Sequence, residues 1–288
     1  MTATYDRARQ DLGNIVLLEH VNVCISDQRL ATIFYISGLG FTRDPYLVTG
    51  IENMWINVGR HQFHLPSRGV QVLRGRVGLV VPDLAALETR LKKVAPLLAE
   101  TRFAWERRDG LLETTCPWGN RYLCHAPAPR FGETELAIAY VEFDVPPGSA
   151  RAIARFYEEL LGAHAAVEGA AGTETAVIAV SAVQRLRYRE SAQPLPPYDG
   201  HHIQVYVSDF SGPHRRLLER GLVTEESSEH QYRFRDLVDL DSGQALFAIE
   251  HEVRSLTHPL YGRPLINRNP AQTNQQYMRG HDAFRGTY

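Results

Sequence analysis

One pattern recurs four times along the chain: a short β-type run that passes straight into a helix-start signal. The copies are His20-Val-Asn-Val-Cys-Ile-Ser-Asp27, Arg76-Val-Gly-Leu-Val-Val-Pro-Asp83, Tyr140-Val-Glu-Phe-Asp-Val-Pro-Pro147 and His202-Ile-Gln-Val-Tyr-Val-Ser-Asp209. Their starts lie roughly 60 residues apart, too far for a solenoid repeat and right for one strand, one helix and three further strands. The period therefore describes half a domain, repeated.

Local signals support that module. Asp27, Asp83, Ser149 and Asp209 stand where N-caps would satisfy the first free amides of a helix. Leu84, Leu87, Leu91 and Val94 recur at helical spacing, as do Ile153, Phe156, Leu160 and Leu161, so each helix has one apolar stripe to lay on a sheet. Glycines at 38, 40, 162 and 221 then offer left-handed exits. Strands are expected at 54–58, 60–65, 111–115, 121–125, 175–180, 186–188, 232–238 and 246–250, separated by turn residues such as Pro117 to Asn120 and Asp241 to Gly243. The Pro- and Gly-rich stretch 126–134 reads as a linker.

Composition narrows the partners. A chain of 288 residues with 44% hydrophobic and 22% charged content can bury two cores. A net charge of −2 gives no basic footprint for nucleic acid or anionic lipid, so a small molecule is the expected partner. The first fourteen residues lack an apolar run, which points away from a signal peptide or membrane anchor and towards the cytoplasm. Cys24, Cys116 and Cys124 show no C-x-x-C pairing and read as buried thiols. No phosphate-binding loop, dinucleotide fingerprint, nucleophile elbow or H-E-x-x-H helix is present.

The motifs H-V-N-V, then F-Y-x-x-G-L-G-F at Phe34 to Phe41, G-L-V-V-P-D-L at Gly78 to Leu84 and F-Y-E-E-L-L-G-A at Phe156 to Ala163 resemble the vicinal oxygen chelate superfamily of glyoxalases, bleomycin-resistance proteins and extradiol dioxygenases. The resemblance spans about residues 15 to 255. It implies an α+β fold of four βαβββ modules paired into two cup-shaped domains. In chain order these would be 15–126 and 135–255, followed by a tail at 256–288.

The same resemblance implies two metal-ligand positions per module, one at the start of the first strand and one near the last strand, pooled between the modules that share a cup. Module one offers His20 and His64, module two Arg76 and Leu123, module three Tyr140 and a position near Arg187. Module four offers His202 and a position between Phe247 and Glu250. Metal-capable types thus stand in modules one and four, which share a cup in some four-module relatives. Two His and one carboxylate suit a divalent ion with open positions, Fe(II) or Mn(II) first, with Ni(II) or Zn(II) as further candidates.

His20, His202 and Glu250 are the expected ligands, with His64 as a fourth ligand or a general base. The resemblance places the usual carboxylate on Phe247, so Glu250 is a shifted candidate, and His251 or Glu252 would require another register. Tyr140, where ring-cleaving relatives carry His, disfavours that chemistry. Arg76 and Arg187 either close a salt bridge or grip an anion.

Two functional readings follow. One is a metal-dependent enzyme, a dioxygenase, lyase or isomerase, acting on a small oxygen-chelating substrate. The other is a metal-free binding or resistance protein that holds an apolar ligand between Trp55, Tyr140 and Phe247. The polar stretch after Glu250 would cap a cup, with Tyr261, Arg263, Asn267 and Arg268 over the substrate, or wrap a partner subunit in a homodimer.

Overall fold

The computed structural model describes residues 5–45, 52–263 and 265. Each repeat folds as the period predicts. Module one comprises β1 (Ile15–Asn22), α1 (Gln28–Ala31, continued as a π-helix over Thr32–Gly38), β2 (Thr42–Arg43), β3 (Asn53–Val58) and β4 (His61–Pro66). Module two contains β5 (Gly75–Val80), α2 (Leu84–Val94), β6 (Ala104–Arg108), β7 (Leu111–Thr115) and β8 (Arg121–His125). Module three contains β9 (Ala137–Val145), α3 (Ala150–Phe156, with a π turn over Tyr157–Leu161), β10 (Ala165–Glu168), β11 (Thr175–Val180) and β12 (Gln184–Glu190). Module four contains β13 (His202–Val207), α4 (Ser211–Glu219), β14 (Val223–Ser228), β15 (Gln231–Val238) and β16 (Ala245–Ser255).

The caps act as their side chains dictate. Asp27 and Asp83 each accept two amides of the first helical turn, and Asp209 accepts the Gly212 amide. Ser149 instead bonds the Pro146 carbonyl and leaves its helix without a side-chain cap. Among the described residues, no helix is long and apolar enough to cross a membrane.

The modules pair into two mixed eight-stranded sheets, ordered β14-β15-β16-β13-β1-β4-β3-β2 and β10-β11-β12-β9-β5-β8-β7-β6. Modules one and four therefore share one cup, and modules two and three share the other. The consecutive halves 15–126 and 135–255 are not the units that pair; each cup takes one module from each half. In the second sheet, β5 meets β9 closely because Gly78 has no side chain. A Cβ there would lie 2.1 Å from the Tyr140 ring.

One hydrophobic core runs between the sheets, with α3 touching β11 and β12 of its own sheet and β15 of the other. Buried polar groups pin the sheets together. The Gln184 amide of β12 exchanges bonds with the Leu18 backbone of β1, accepting its N–H at 3.1 Å and donating to its carbonyl at 3.0 Å, and also donates to Ile138 O at 2.9 Å. The Ile138 amide in turn donates to His61 Nδ1. His251 lies wholly inside, stacked on Phe234 at 4.3 Å and bonded to the Tyr157 hydroxyl and the Ile249 carbonyl.

Removing the Gln184 amide leaves both backbone groups of Leu18 and the Ile138 carbonyl short of a buried partner, so Gln184→Leu should cost about 3 kcal/mol in urea unfolding. Acid should act on the histidines. Burial pushes His61 down to about 4 and His251 to about 3, so both are neutral in the fold, whereas the unfolded chain protonates them near 6.5. Their stabilisation is complete above pH 6.5 and is lost as the pH falls towards those folded values. Denaturant titrations at pH 6.5 and pH 5 should differ by about 2 kcal/mol per buried histidine.

Candidate metal centre

The concave face of the first sheet is set by register. Antiparallel pairing of β1 with β13 puts His20 opposite Gln204 and Asn22 opposite His202. Parallel pairing adds Gln62 beside His20 and His64 beside Asn22 on one flank, and Glu250 beside His202 and Glu252 beside Gln204 on the other. Two rows result: His64, Asn22, His202 and Glu250; and Gln62, His20, Gln204 and Glu252.

The repeat then identifies equivalent positions. His20 corresponds to His202, and because His64 and Glu252 stand at the same register step from them, His64 corresponds to Glu252 and Gln62 to Glu250. Glu250, expected as a ligand, thus occupies the glutamine position. Glu252 stands at the position equivalent to His64 without any change of parity, since both carboxylates share the concave face.

His20, His64 and His202 come together, each offering a nitrogen within 4.8 Å of the other two. His20 Nε2 and His202 Nε2 are buried with no hydrogen-bond partner among the described residues. The other nitrogen of His20 faces Glu19 Oε2 at 3.5 Å, and His64 Nε2 lies 3.2 Å from Asn53 Oδ1. Trp55 stacks on the His64 ring at 3.9 Å and fixes its plane. Burial, reinforced by the neighbouring imidazoles, pushes His64 well below its ordinary value; burial does the same to His202. Both are neutral donors at neutral pH.

Glu19 reaches this face through a β-bulge between Leu18 and His20, which turns two successive side chains inward. The second sheet has the corresponding bulge in β9, where the extra residue is Ala139. Only the histidine cup puts a carboxylate there. Burial alone would raise the Glu19 carboxyl, but its bond to His20 and the charge of Arg254 hold it below the usual range. The bulge has no signature in the sequence, so Glu19 was not among the expected site residues.

Arg254 ties the site together, with Nη1 at 3.2 Å from Glu19 Oε2 and Nη2 on Glu252. Arg233 bridges Glu250 and Glu252. Glu252 Oε2 lies 3.7 Å from His202 Nε2, and Glu250 Oε1 lies 3.6 Å from His202 Nδ1. Glu252 is 3% exposed, and although burial opposes its charge, Arg254, His20 and Arg233 keep it ionised. Three imidazoles and one buried carboxylate on adjoining strands match the donor set of a first-row divalent ion.

The expected aromatic residues do not line one space. Trp55 belongs to the histidine cluster, whereas Tyr140 lies in the other cup, 3.0 Å from His125 Nε2. Phe247 faces the core between the sheets, against Phe143, Tyr188 and the Arg74 guanidinium. Tyr261 packs at a tilt against Tyr206, ring centroids 4.8 Å apart, at one end of the histidine cup. Arg263 is buried against Asp44 at 2.8 Å and Gln62 at 3.4 Å, so the segment after β16 crosses this cup. Asn267 and Arg268 lie outside the described residues. A cavity of about 1240 Å³ beside Tyr261, Glu19 and the Ser181–Gln184 turn does not include the three histidines. Glu19, Tyr261 and Arg263 are the residues through which it adjoins the histidine cup.

No protein-family model matches the sequence, and no curated protein does. Solved structures match it in fold. Glyoxalase I from Zea mays superposes with a TM-score of 0.60 at 13% identity, covering 83% of this chain and 92% of that one. A putative dioxygenase from Bacillus subtilis subsp. subtilis str. 168 superposes with a TM-score of 0.56 at 14% identity, covering 88% of this chain and 87% of that one. With its four βαβββ modules, two cups and polar concave faces, the chain has the fold of the vicinal oxygen chelate superfamily.

Proposed function

We propose that the chain is a metal-dependent enzyme in which His20, His64, His202 and Glu252 hold one divalent ion in the cup of modules one and four. The observation that carries this reading is the convergence of three imidazoles, two of them buried with an Nε2 that has no hydrogen-bond partner among the described residues. Burying such atoms unpaired costs about 1–3 kcal/mol each, which an ion would repay. Glu250, first expected as a ligand, holds Arg233 beside the site.

The substrate class follows from the donor count. Four protein ligands leave room on a five- or six-coordinate ion for one or two oxygens of a small molecule. When bound, the ion supplies Lewis-acid chemistry, polarising an oxygen of that molecule. The chain's own residues do the rest. Glu19 keeps a carboxylate behind His20 Nδ1, so that Nε2 is the free donor. Trp55 excludes water from one side of His64, and Tyr206 with Tyr261 walls the end of the cup. His64 is the group that exchanges ligation for proton transfer if the ion is held by the other three. Fe(II) or Mn(II) fits a substrate that reacts with oxygen, and Ni(II) or Zn(II) an isomerisation or elimination.

Protein stripped with chelator and reconstituted in turn with Fe(II), Mn(II), Ni(II) and Zn(II) should retain one equivalent of at least one ion by elemental analysis. Retention of none would refute the reading. Co(II) absorption gives a readout independent of turnover. His20→Ala and His202→Ala should weaken Co(II) binding by at least about 100-fold, and Glu19→Gln by about 10-fold. Glu252→Gln should weaken it far more than Glu250→Gln; the reverse order would return the ligand role to Glu250.

A further inference from the structure

The second cup differs from the first in charge. The repeat that relates His20, His64, His202 and Glu252 places Arg76, Leu123, Tyr140 and Arg187 at the corresponding positions. This set cannot hold a cation. Over the four central strands β8, β5, β9 and β12, the concave face carries five guanidiniums, Arg76, Arg121, Arg185, Arg187 and Arg189, against two carboxylates, Glu142 and Asp144. The same four strands of the histidine cup carry three carboxylates, Glu19, Glu250 and Glu252, against one guanidinium, Arg254. The cups are electrostatic opposites.

Glu142 lies beneath the arginines and organises them. It is 5% exposed, with Arg76 Nη2 at 2.6 Å from one oxygen and Arg187 Nε at 3.1 Å from the other, while Arg189 approaches at 3.5 Å. Asp144 takes Arg189 directly and Arg121 at 3.5 Å. At the flanks, Glu168 meets Arg187 at 3.5 Å, and Glu113 is held by Arg108 at 3.3 Å. A guanidinium offers five donors in a planar fork, so these carboxylates consume only part of the donor supply. The side chains of Arg76, Arg187, Arg189 and Arg121 remain 26%, 29%, 40% and 43% exposed, so their free edges are open to a ligand. Beside them stand the Tyr140 hydroxyl, pushed up to about 12 by burial, and His125, pushed down to about 4 by burial and by Arg130. Both are neutral groups at neutral pH. Neither repels an anion.

We propose that the cup of modules two and three is a binding site for a small dianionic oxyanion, a phosphate group foremost, held by Arg76, Arg187, Arg189 and Arg121. Glu142 pre-positions the forks, so a ligand with three or more oxygens meets donors already oriented. The site is separate from the histidine cluster and does not depend on a metal being bound there.

Inorganic phosphate is the probe. Calorimetric titration of the chelator-treated full chain, with ionic strength matched by sodium chloride, should show one saturable site. Arg187→Gln should weaken it at least about 10-fold, because the variant gives up charge-assisted contacts to the anion. Arg121→Gln, which gives up only a backbone carbonyl and the edge of Asp144, keeps the fold intact and should weaken it about threefold or more. His20→Ala should leave phosphate binding unchanged, which separates this site from the histidine cluster. No saturable binding, or binding untouched by both arginine substitutions, would overturn the proposal, as would loss of binding in His20→Ala.

Discussion

The antiparallel seam between β1 and β13 is the contact on which the rest of the structure depends. It joins the first module to the last across about 180 residues of chain, and it sets His20 and His202 on one concave face with ring centroids 6.0 Å apart. A slip of one residue along this seam would turn every side chain of β1 to the opposite face and send His20 into the core, away from His202. The Gln184 amide and the apolar residues Leu18, Val21, Ile203 and Val205 hold that register from behind. The site is therefore as well defined as the core packing beneath it.

Much of this was legible in the sequence, because a repeat is a comparison of the chain with itself. The β-type runs, the Asp caps and the apolar stripes of α2 and α3 required no outside knowledge, and strands such as Leu111–Thr115 and Thr175–Val180 fall where their alternation places them. What sequence could not supply was register. Strand β16 continues to Ser255, beyond its expected end at Glu250, because Glu252 and Arg254 read as polar exit residues. Both are in fact buried in a charged concave face. The ordinary rule that charges mark the end of a strand fails where a sheet buries its polar side as well. The same failure hid Glu252, and the bulge at Glu19 hid the carboxylate behind His20.

The aromatic residues mark the opposite limit. Trp55, Tyr140 and Phe247 are each consistent with a ligand wall when taken singly. Their destinations depend on which modules share a sheet and which side of β16 faces the core. Composition and periodicity leave both open. The repeated module thus gives one architecture with two contrasting interiors, and the contrast lies in a few concave positions rather than in the backbone.

The nested order of the modules also bears on how the chain is made. Modules two and three are consecutive, so residues 75–190 can close their sheet as soon as they leave the ribosome. Strand β1 has β4 of its own module on one side only: its other partner β13 lies in the last module, and until that module emerges β1 offers an open hydrogen-bonding edge. The histidine cup is therefore the last part of the molecule to exist. A chain cut short between residues 190 and 202 retains the arginine cup's strands and lacks half of the histidine cup, so the histidine cluster assembles only once the last module has been made.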